Sequence, residues 1–320
     1  MTAAIVPVLR AVAREAAHPA PDSPHCRGCG REEAVLADRA DGVVVRHGEV
    51  VAKVHADGTD PAGHRARLAV AARPRLAGIL LPPLPTTTEQ VHGRPVTAWP
   101  YGTPVDPADP GAAPWEEAGA LIARLHTVPL GTLPAALPAM RGPAKAALAV
   151  ARMRAAGHHR AAGPVLRAWE RLPAWARDEA PAPGPGALCH GDLHLGQLVR
   201  HPAPDGPWLL IDVDDLGAGE PTWDLARPAA WYAAGLLPPE DWQAFLGGYR
   251  RAHGPAVPAE GDPWPQLDVA ARALTVQAGA LAIAKSTAEG RELDDAELLM
   301  IDSCARIGAL ATELASEASS

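Results

Sequence analysis

The spacing of apolar and polar positions changes character about a third of the way along the chain. The leading stretch MTAAIVPVLRAVAREAA reads as an amphipathic helix. Between Glu33 and His55, short runs rich in β-branched residues, EAVLADRA, VVVRH and EVVAKVH, are separated by Asp41-Gly42 and His47-Gly48, the signature of strands joined by tight hairpin turns. Asp60 then stands as a cap with Pro61 at the first helical position, and the helix they begin ends before Pro74. Strand patterning returns at Thr86 to Val91 and at Pro95 to Trp99, and is broken by the proline- and glycine-rich segment WPYGTPVDPADPGAAP.

Beyond that segment the period becomes helical. Trp115, Ala118, Ile122 and Leu125 recur at helical spacing, with Glu116 and Glu117 favourably placed in the first turn. Alanine-rich helices are predicted through Ala139 to Arg177, and the loop PAPGPG closes them. One compact strand pair follows, Gln197 to Arg200 and Trp208 to Val213, joined by HPAPDG, and Pro221 to Ser320 is again helical. The pattern predicts an α+β chain: a small sheet-rich lobe over residues 1–102, then a larger, mainly helical lobe over 103–320 that carries one catalytic-looking hairpin.

Composition narrows the range of functions. A formal charge of -8 without clustered lysine or arginine argues against nucleic-acid binding. Apolar runs such as Ala77 to Leu84 are short and stopped by proline, and Arg10, Arg14 and Glu15 interrupt what would have to be the apolar part of a signal peptide, so a cytoplasmic protein without a membrane anchor is expected. Cys26 and Cys29 form a C-x-x-C, but no second ligand pair follows at matching spacing; His25 and Cys189 could be recruited, and reduced thiols are the expected state.

Charge gathers between Leu188 and Ala226, where seven acidic residues and three histidines stand in a chain otherwise dominated by alanine, proline and leucine. Phosphoryl transfer to a hydroxyl requires a carboxylate to orient the hydroxyl and oxygen ligands to hold magnesium against the phosphates. Asp192, the amide of Gln197 five residues later, and Asp212 at the end of WLLID supply that set, because the strand pair brings 197 and 212 side by side at its open end.

HGDLHLGQ and IDVDDLGAGEPTWDLA resemble the catalytic loop and metal-binding segment of the aminoglycoside phosphotransferase family, small-molecule kinases with the protein-kinase bilobal fold. The resemblance implies that Asp192 is the catalytic aspartate, that Gln197 and Asp212 are ligands of Mg2+, and that Lys53 in VVAKVH contacts the phosphates of ATP or GTP. It also implies that main-chain groups around Trp99 to Tyr101 meet the adenine. His190 and His194 are read as bonding the loop and holding the Asp192 rotamer, and Asp224 as capping a helix or bracing the loop; Asp214, Asp215 and Glu220 are supporting or solvated. Cys189 reads as a small buried apolar residue.

The chain departs from the family at three points. Gln197 stands where asparagine is usual, although maltokinase and glucosamine kinase relatives share H-G-D-x-H-x-G-Q. No glutamate lies between Val54 and Thr88 to pair with Lys53, which leaves Asp60, a carboxylate from the second lobe, or phosphate alone. No G-x-G-x-x-G is present, so Asp38 to Gly42 is the candidate phosphate cover. The expected partners are a nucleoside triphosphate and a small-molecule acceptor, first an antibiotic or other sugar-containing natural product and second a primary-metabolic sugar, with the chain a monomer or homodimer. An inactive nucleotide-binding regulatory module and a metallohydrolase using His190 and His194 are the readings outweighed.

Overall fold

The valine-rich strands within residues 34–100 with two helices, and the larger set of alanine-rich helices, fall into different units of the computed structural model. It describes all residues except 1, 21–25, 27–28, 30–33, 40–41, 135–136, 185 and 318–320. In chain order the elements are α1 (Thr2–Ala17), β1 (Ala34–Arg39), β2 (Gly42–His47), β3 (Val50–Val54), α2 (Pro61–Ala71), β4 (Gln90–Val91), β5 (Arg94–Pro100) and β6 (Thr103–Pro104). There follow α3 (Trp115–His126), α4 (Gly142–Ala155), α5 (Ala162–Glu170), β7 (Ala187–Cys189), β8 (Leu198–Arg200), β9 (Trp208–Leu210) and β10 (Gly217–Gly219). The chain ends in α6 (Thr222–Ala233), α7 (Pro239–Arg251), α8 (Trp264–Glu289) and α9 (Asp295–Glu317).

One unit comprises Met1–Ala113, Leu133–Leu137 and Gly196–Asp214; the other comprises Pro114–Thr132, Pro138–Leu195 and Asp215–Ser320. The division differs from a single cut at residue 102, because the hairpin β8–β9 groups with the sheet-rich unit. The reason is local: Leu210 donates its N–H to the Ile79 carbonyl at 2.8 Å and accepts from the Leu81 N–H at 2.9 Å, so β9 is bonded to the segment after α2.

In the first unit an antiparallel sheet runs in the order β1-β2-β3-β5-β4. Alternation along β3 buries Val50, Ala52 and Val54 on one side, against Ile5, Leu9, Val12 and Ala13 of α1. Full burial of side chains of this size stabilises by about 1.5–3 kcal/mol each for the larger ones, which is what holds α1 to the sheet. The opposite alternation turns Lys53 to the other face, level with Val44 on β2 and Thr97 on β5. The strand expected at Thr86 to Val91 shrinks to Gln90–Val91, since Thr86 Oγ1 takes the Thr88 N–H at 3.3 Å and bends the backbone away from the ladder. Residues 40–41, within the candidate phosphate cover, lie outside the described residues; Asp38 and Arg39 are strand residues paired with Val43 and Gly42.

The second unit is helical around α8, whose Ala270, Ala273, Leu274, Val276, Ala280 and Ile283 are buried in a core shared with α4, α5, α6 and α9. Among the described residues α8 is also the one helix long and apolar enough to cross a membrane, and 67% of its apolar window is buried inside this unit. Sequence reading found no run of that kind, because Arg272 and Lys285 punctuate it. The short antiparallel pair β7–β10 joins Cys189 to Gly217 and delivers the loop that begins at His190.

Candidate active site

In the first unit a lysine is held by two carboxylates. Lys53 Nζ donates to Asp212 Oδ1 at 2.7 Å and to Asp214 Oδ2 at 2.9 Å. Burial alone would lower the lysine pKa, but the two aspartates outweigh it and hold the ammonium charged well above the usual range. His55, one strand position beyond Val54, places Nδ1 2.8 and 3.0 Å from the two Asp214 oxygens, and its Nε2 lies 2.8 Å from Thr97 Oγ1, which also accepts the Trp99 indole N–H. Burial pushes the Asp214 carboxyl up, yet His55 and Lys53 together bring it far below the ordinary carboxylate range.

Those contacts settle the question of the lysine's partner. Asp60 is not it: its carboxylate caps α2, accepting from the Ala62 and Gly63 N–H groups at 3.2 and 2.8 Å. Where a glutamate was sought on that helix, α2 presents His64, buried with its ring 4.3 Å from that of His55. Burial, then the neighbouring His55, lower its pKa to about 4, so it is a neutral neighbour of the ion pair.

Gln197 is joined through the main chain to Ile211, the residue before Asp212. Leu198 pairs with Leu210 across β8–β9, and one step further the Ile211 N–H donates to the Gln197 carbonyl at 2.9 Å. Asp212 follows with φ +63, left-handed backbone that costs a non-glycine residue roughly 1 kcal/mol or more and persists only where surroundings fix it. Lys53 is the fixing contact, and the turn lifts the carboxylate off the strand path. An amide oxygen and a carboxylate at one hairpin end are hard oxygen donors, the type that suits magnesium.

Trp99 and Pro100 close β5, and Tyr101 follows them. The Trp99 side chain is buried, and its strand neighbour opposite is Val51. Tyr101 already gives its N–H to the Glu49 carbonyl at 2.7 Å and receives His201 Nδ1 on its own carbonyl at 3.0 Å, so that N–H is not left for an adenine edge. Its ring lies under the Arg46 guanidinium, 3.3 Å from carbon to centroid.

In the second unit Asp192 is gripped by cations. Lys145 Nζ is 2.8 Å from Oδ2 and Arg227 Nη2 donates to Oδ1 at 2.5 Å. Burial raises the Asp192 pKa, but Lys145 and Arg227 reverse this and hold it at about 2. Lys145 also donates to Asp215 Oδ2 at 2.7 Å, and for Asp215 burial outweighs the lysine, leaving its pKa above the ordinary value. Two carboxylates sharing one lysine thus have their pKa values pushed apart, a pattern associated with acid–base sites.

Asp224 braces the loop. Its oxygens accept the main-chain N–H groups of His190 at 2.6 Å and Gly191 at 2.7 Å, and His126 Nε2 at 3.0 Å. His126 in turn bonds Tyr249 at 2.8 Å. Burial raises the Asp224 carboxyl, but the His126 hydrogen bond and charge bring it below normal. Gly191, at φ +87, leaves no room for a side chain, since a Cβ there would sit 2.5 Å from the Asp215 carbonyl. His194 contributes electrostatically to the lowered Asp192 pKa, and the His190 main-chain N–H helps to organise the turn through Asp224.

The residues missed from sequence are Lys145, Arg227, His55 and His64. Lys145 stands inside an alanine-rich helix and Arg227 just after WDLA, where a lone cation has the look of solvated surface. The signal available was position: Arg227 lies one helical turn beyond Asp224, on the face that already supports the loop.

The sequence matches the phosphotransferase enzyme family over residues 36–264. Solved structures similar to the chain include an aminoglycoside phosphotransferase, APH(4)-Ia, 15% identical, covering 87% of this chain and 94% of that one with a TM-score of 0.57. Choline kinase LicA from Streptococcus pneumoniae is 15% identical, with coverage of 87% and 93% and a TM-score of 0.54. A macrolide 2'-phosphotransferase type I is 17% identical, with coverage of 95% and 98% and a TM-score of 0.52. No curated protein matches the sequence. At these identities the structural likeness shows the fold, a kinase-like α+β architecture.

Proposed function

The chain belongs to the phosphotransferase enzyme family, and from that premise we propose that it moves the terminal phosphate of ATP or GTP onto a hydroxyl of an antibiotic or other sugar-containing natural product. The observation that carries this reading is the Lys53–Asp212 ion pair at the hairpin end that also holds Gln197. In it Lys53 contacts the nucleotide phosphates, and Gln197 and Asp212 hold Mg2+. Magnesium bound there supplies positive charge against the developing negative charge of the transferred and leaving phosphates.

Asp192 orients the acceptor hydroxyl and takes its proton. With a pKa of about 2 it is ionised throughout the working range. Its pairing with Lys145 and Arg227 limits its rotamers, so the carboxylate is positioned before any acceptor arrives. Asp214 and His55 keep Lys53 in register, and Asp224 keeps the loop in shape through main-chain N–H groups of His190 and Gly191.

Acceptor preference leans on the relatives and on one residue. Similar structures include a spectinomycin phosphotransferase with ADP and spectinomycin, and an APH(4)-Ia mutant with AMP-PNP and hygromycin B. Gln197, shared with maltokinase-like and glucosamine kinase-like loops, favours a sugar as the second reading. An inactive regulatory module is suggested by the missing glutamate and the missing glycine-rich loop; the pairing of Lys53 with Asp212 and Asp214 weighs against the first of these.

ADP release with magnesium and either nucleotide, screened over aminoglycosides, macrolides, nucleoside antibiotics, glucosamine and maltose, tests the reading. Release that depends on one antibiotic supports it; release only with a sugar moves the second reading to first. Nucleotide stabilisation of the fold without release for any acceptor contradicts both.

A further inference from the structure

The geometry points to a zinc site in the first unit, held by His18, Cys26, Cys29 and His47, and separate from the residues of phosphoryl transfer. Four ligand atoms converge there, all within 4.8 Å of one another. Cys26 Sγ lies 3.8 Å from Cys29 Sγ and 3.4 Å from His47 Nε2. Cys29 Sγ lies 3.2 Å from His18 Nε2 and 3.9 Å from His47 Nε2. A tetrahedral zinc with bonds of about 2.3 Å to sulfur and 2.0–2.1 Å to nitrogen sets sulfur–sulfur edges near 3.8 Å and sulfur–nitrogen edges near 3.6 Å. The four separations given lie within about 0.4 Å of those edges. Both thiols are free, and a disulfide would need sulfurs about 2.05 Å apart.

Each part of the chain contributes for its own reason. His18 directly follows α1, its N–H bonded to the Arg14 and Glu15 carbonyls, so the helix end fixes its direction. The Cys29 N–H donates to the Cys26 carbonyl at 3.0 Å, a tight turn that sets the two sulfurs side by side. His47 is the last residue of β2 and is 3% exposed. The His18 and His47 rings meet edge to face at 5.8 Å.

A search for a second ligand pair on one side of the C-x-x-C misses the arrangement, because one histidine precedes it and the other follows at the end of a strand. Of the ligands suggested by sequence, His25 lies outside the described residues, and Cys189 belongs to the second unit, with its thiol on the Ala187 carbonyl. Two thiolates and two neutral imidazoles balance the ion's charge, which suits a closed structural site with no open coordination position. The ion would tie the end of α1, and the segment leading to β1, to the sheet that carries Lys53.

The test uses the untagged full chain, grown with zinc and freed of loose metal by gel filtration. Elemental analysis is expected to give one zinc per chain, lost in Cys29→Ser and in His47→Ala. Because a ligand variant can fail to fold, a second measurement uses the unaltered chain: exchange of zinc for cobalt(II) is expected to bring thiolate charge-transfer bands and the visible absorption of a tetrahedral S2N2 site. Chelation is expected to lower the melting temperature of the unaltered chain. Less than about a tenth of an equivalent of zinc in the unaltered chain, cobalt spectra without thiolate bands, or a mass showing a Cys26–Cys29 disulfide in freshly purified protein would overturn the proposal.

Discussion

Around Lys53 one ammonium faces two carboxylates, Asp212 and Asp214, whereas around Asp192 and Asp215 a shared Lys145 is joined by Arg227 on the first and Arg141 on the second. The first centre is short of positive charge and the second is not. In the proposed mechanism the difference has a purpose: the first would be completed by a cation, while the second would keep one carboxylate ionised and aimed. A lysine in the first therefore stabilises acidic neighbours that a divalent ion can share. In the second, Lys145 divides its attention between Asp192, whose pKa falls to about 2, and Asp215, whose pKa rises.

The largest way to break the comparison is at the acid-rich centre. Asp212→Ala removes one Lys53 partner and one proposed magnesium ligand, and is expected to lower kcat/KM by about 10³-fold or more, with a steeper requirement for magnesium in titrations of the initial rate. A loss below about tenfold would show that the two centres do not differ as described.

A smaller effect sharpens the other side. Lys145→Met removes a cation from Asp192, so the Asp192 pKa climbs from about 2 toward and above the ordinary aspartate value. Activity that needs the carboxylate ionised is then lost as pH falls through the higher value, and the acid limb of the kcat/KM profile moves up by about one unit or more. Lys145→Arg, which keeps the charge, is expected to restore the limb. An unchanged limb in the methionine variant would assign Lys145 a packing role only.

The smallest effect concerns His64 beside the lysine centre. Its folded pKa, about 4, is below the unfolded value near 6.5, so its contribution to stability is fully present above pH 6.5 and is lost as pH falls toward 4. His64→Phe is expected to remove about 1–2 kcal/mol of the stability difference between pH 7.5 and pH 5, measured by urea denaturation at both values. An unaltered pH dependence would mean that the imidazole is protonated in the folded chain.

Strand pairing made one part of this legible in the sequence and not the rest. Gln197 and Asp212 could be set together before any coordinates, because a short turn between two apolar runs fixes register, and the pair forms as Leu198 meets Leu210. Asp224 could be read as a brace for the loop, since it stands in the first turn of a helix that follows a glycine-rich stretch; its partners, the His190 and Gly191 N–H groups, could not. Lys145 and Arg227 were invisible because their contacts with Asp192 span 47 and 35 residues, and helical periodicity says nothing about which distant loop a polar face will meet. Asp60 is legible as a helix cap, and a carboxylate taking two α2 N–H groups is already committed away from Lys53. The grouping of the hairpin with the sheet was hidden for the same reason as the cations, since it depends on Leu210 bonding the 79–81 segment far upstream.

Asp192 is where the account is most exposed. Nucleotide affinity and acceptor-dependent ADP release, measured together on Asp192→Ala and the unaltered chain, separate the two centres directly. The account expects turnover to fall by about 10³-fold or more while the nucleotide Kd changes by less than about twofold, because the lysine centre is untouched. Turnover within about tenfold of the unaltered chain, with the fold intact, would contradict it.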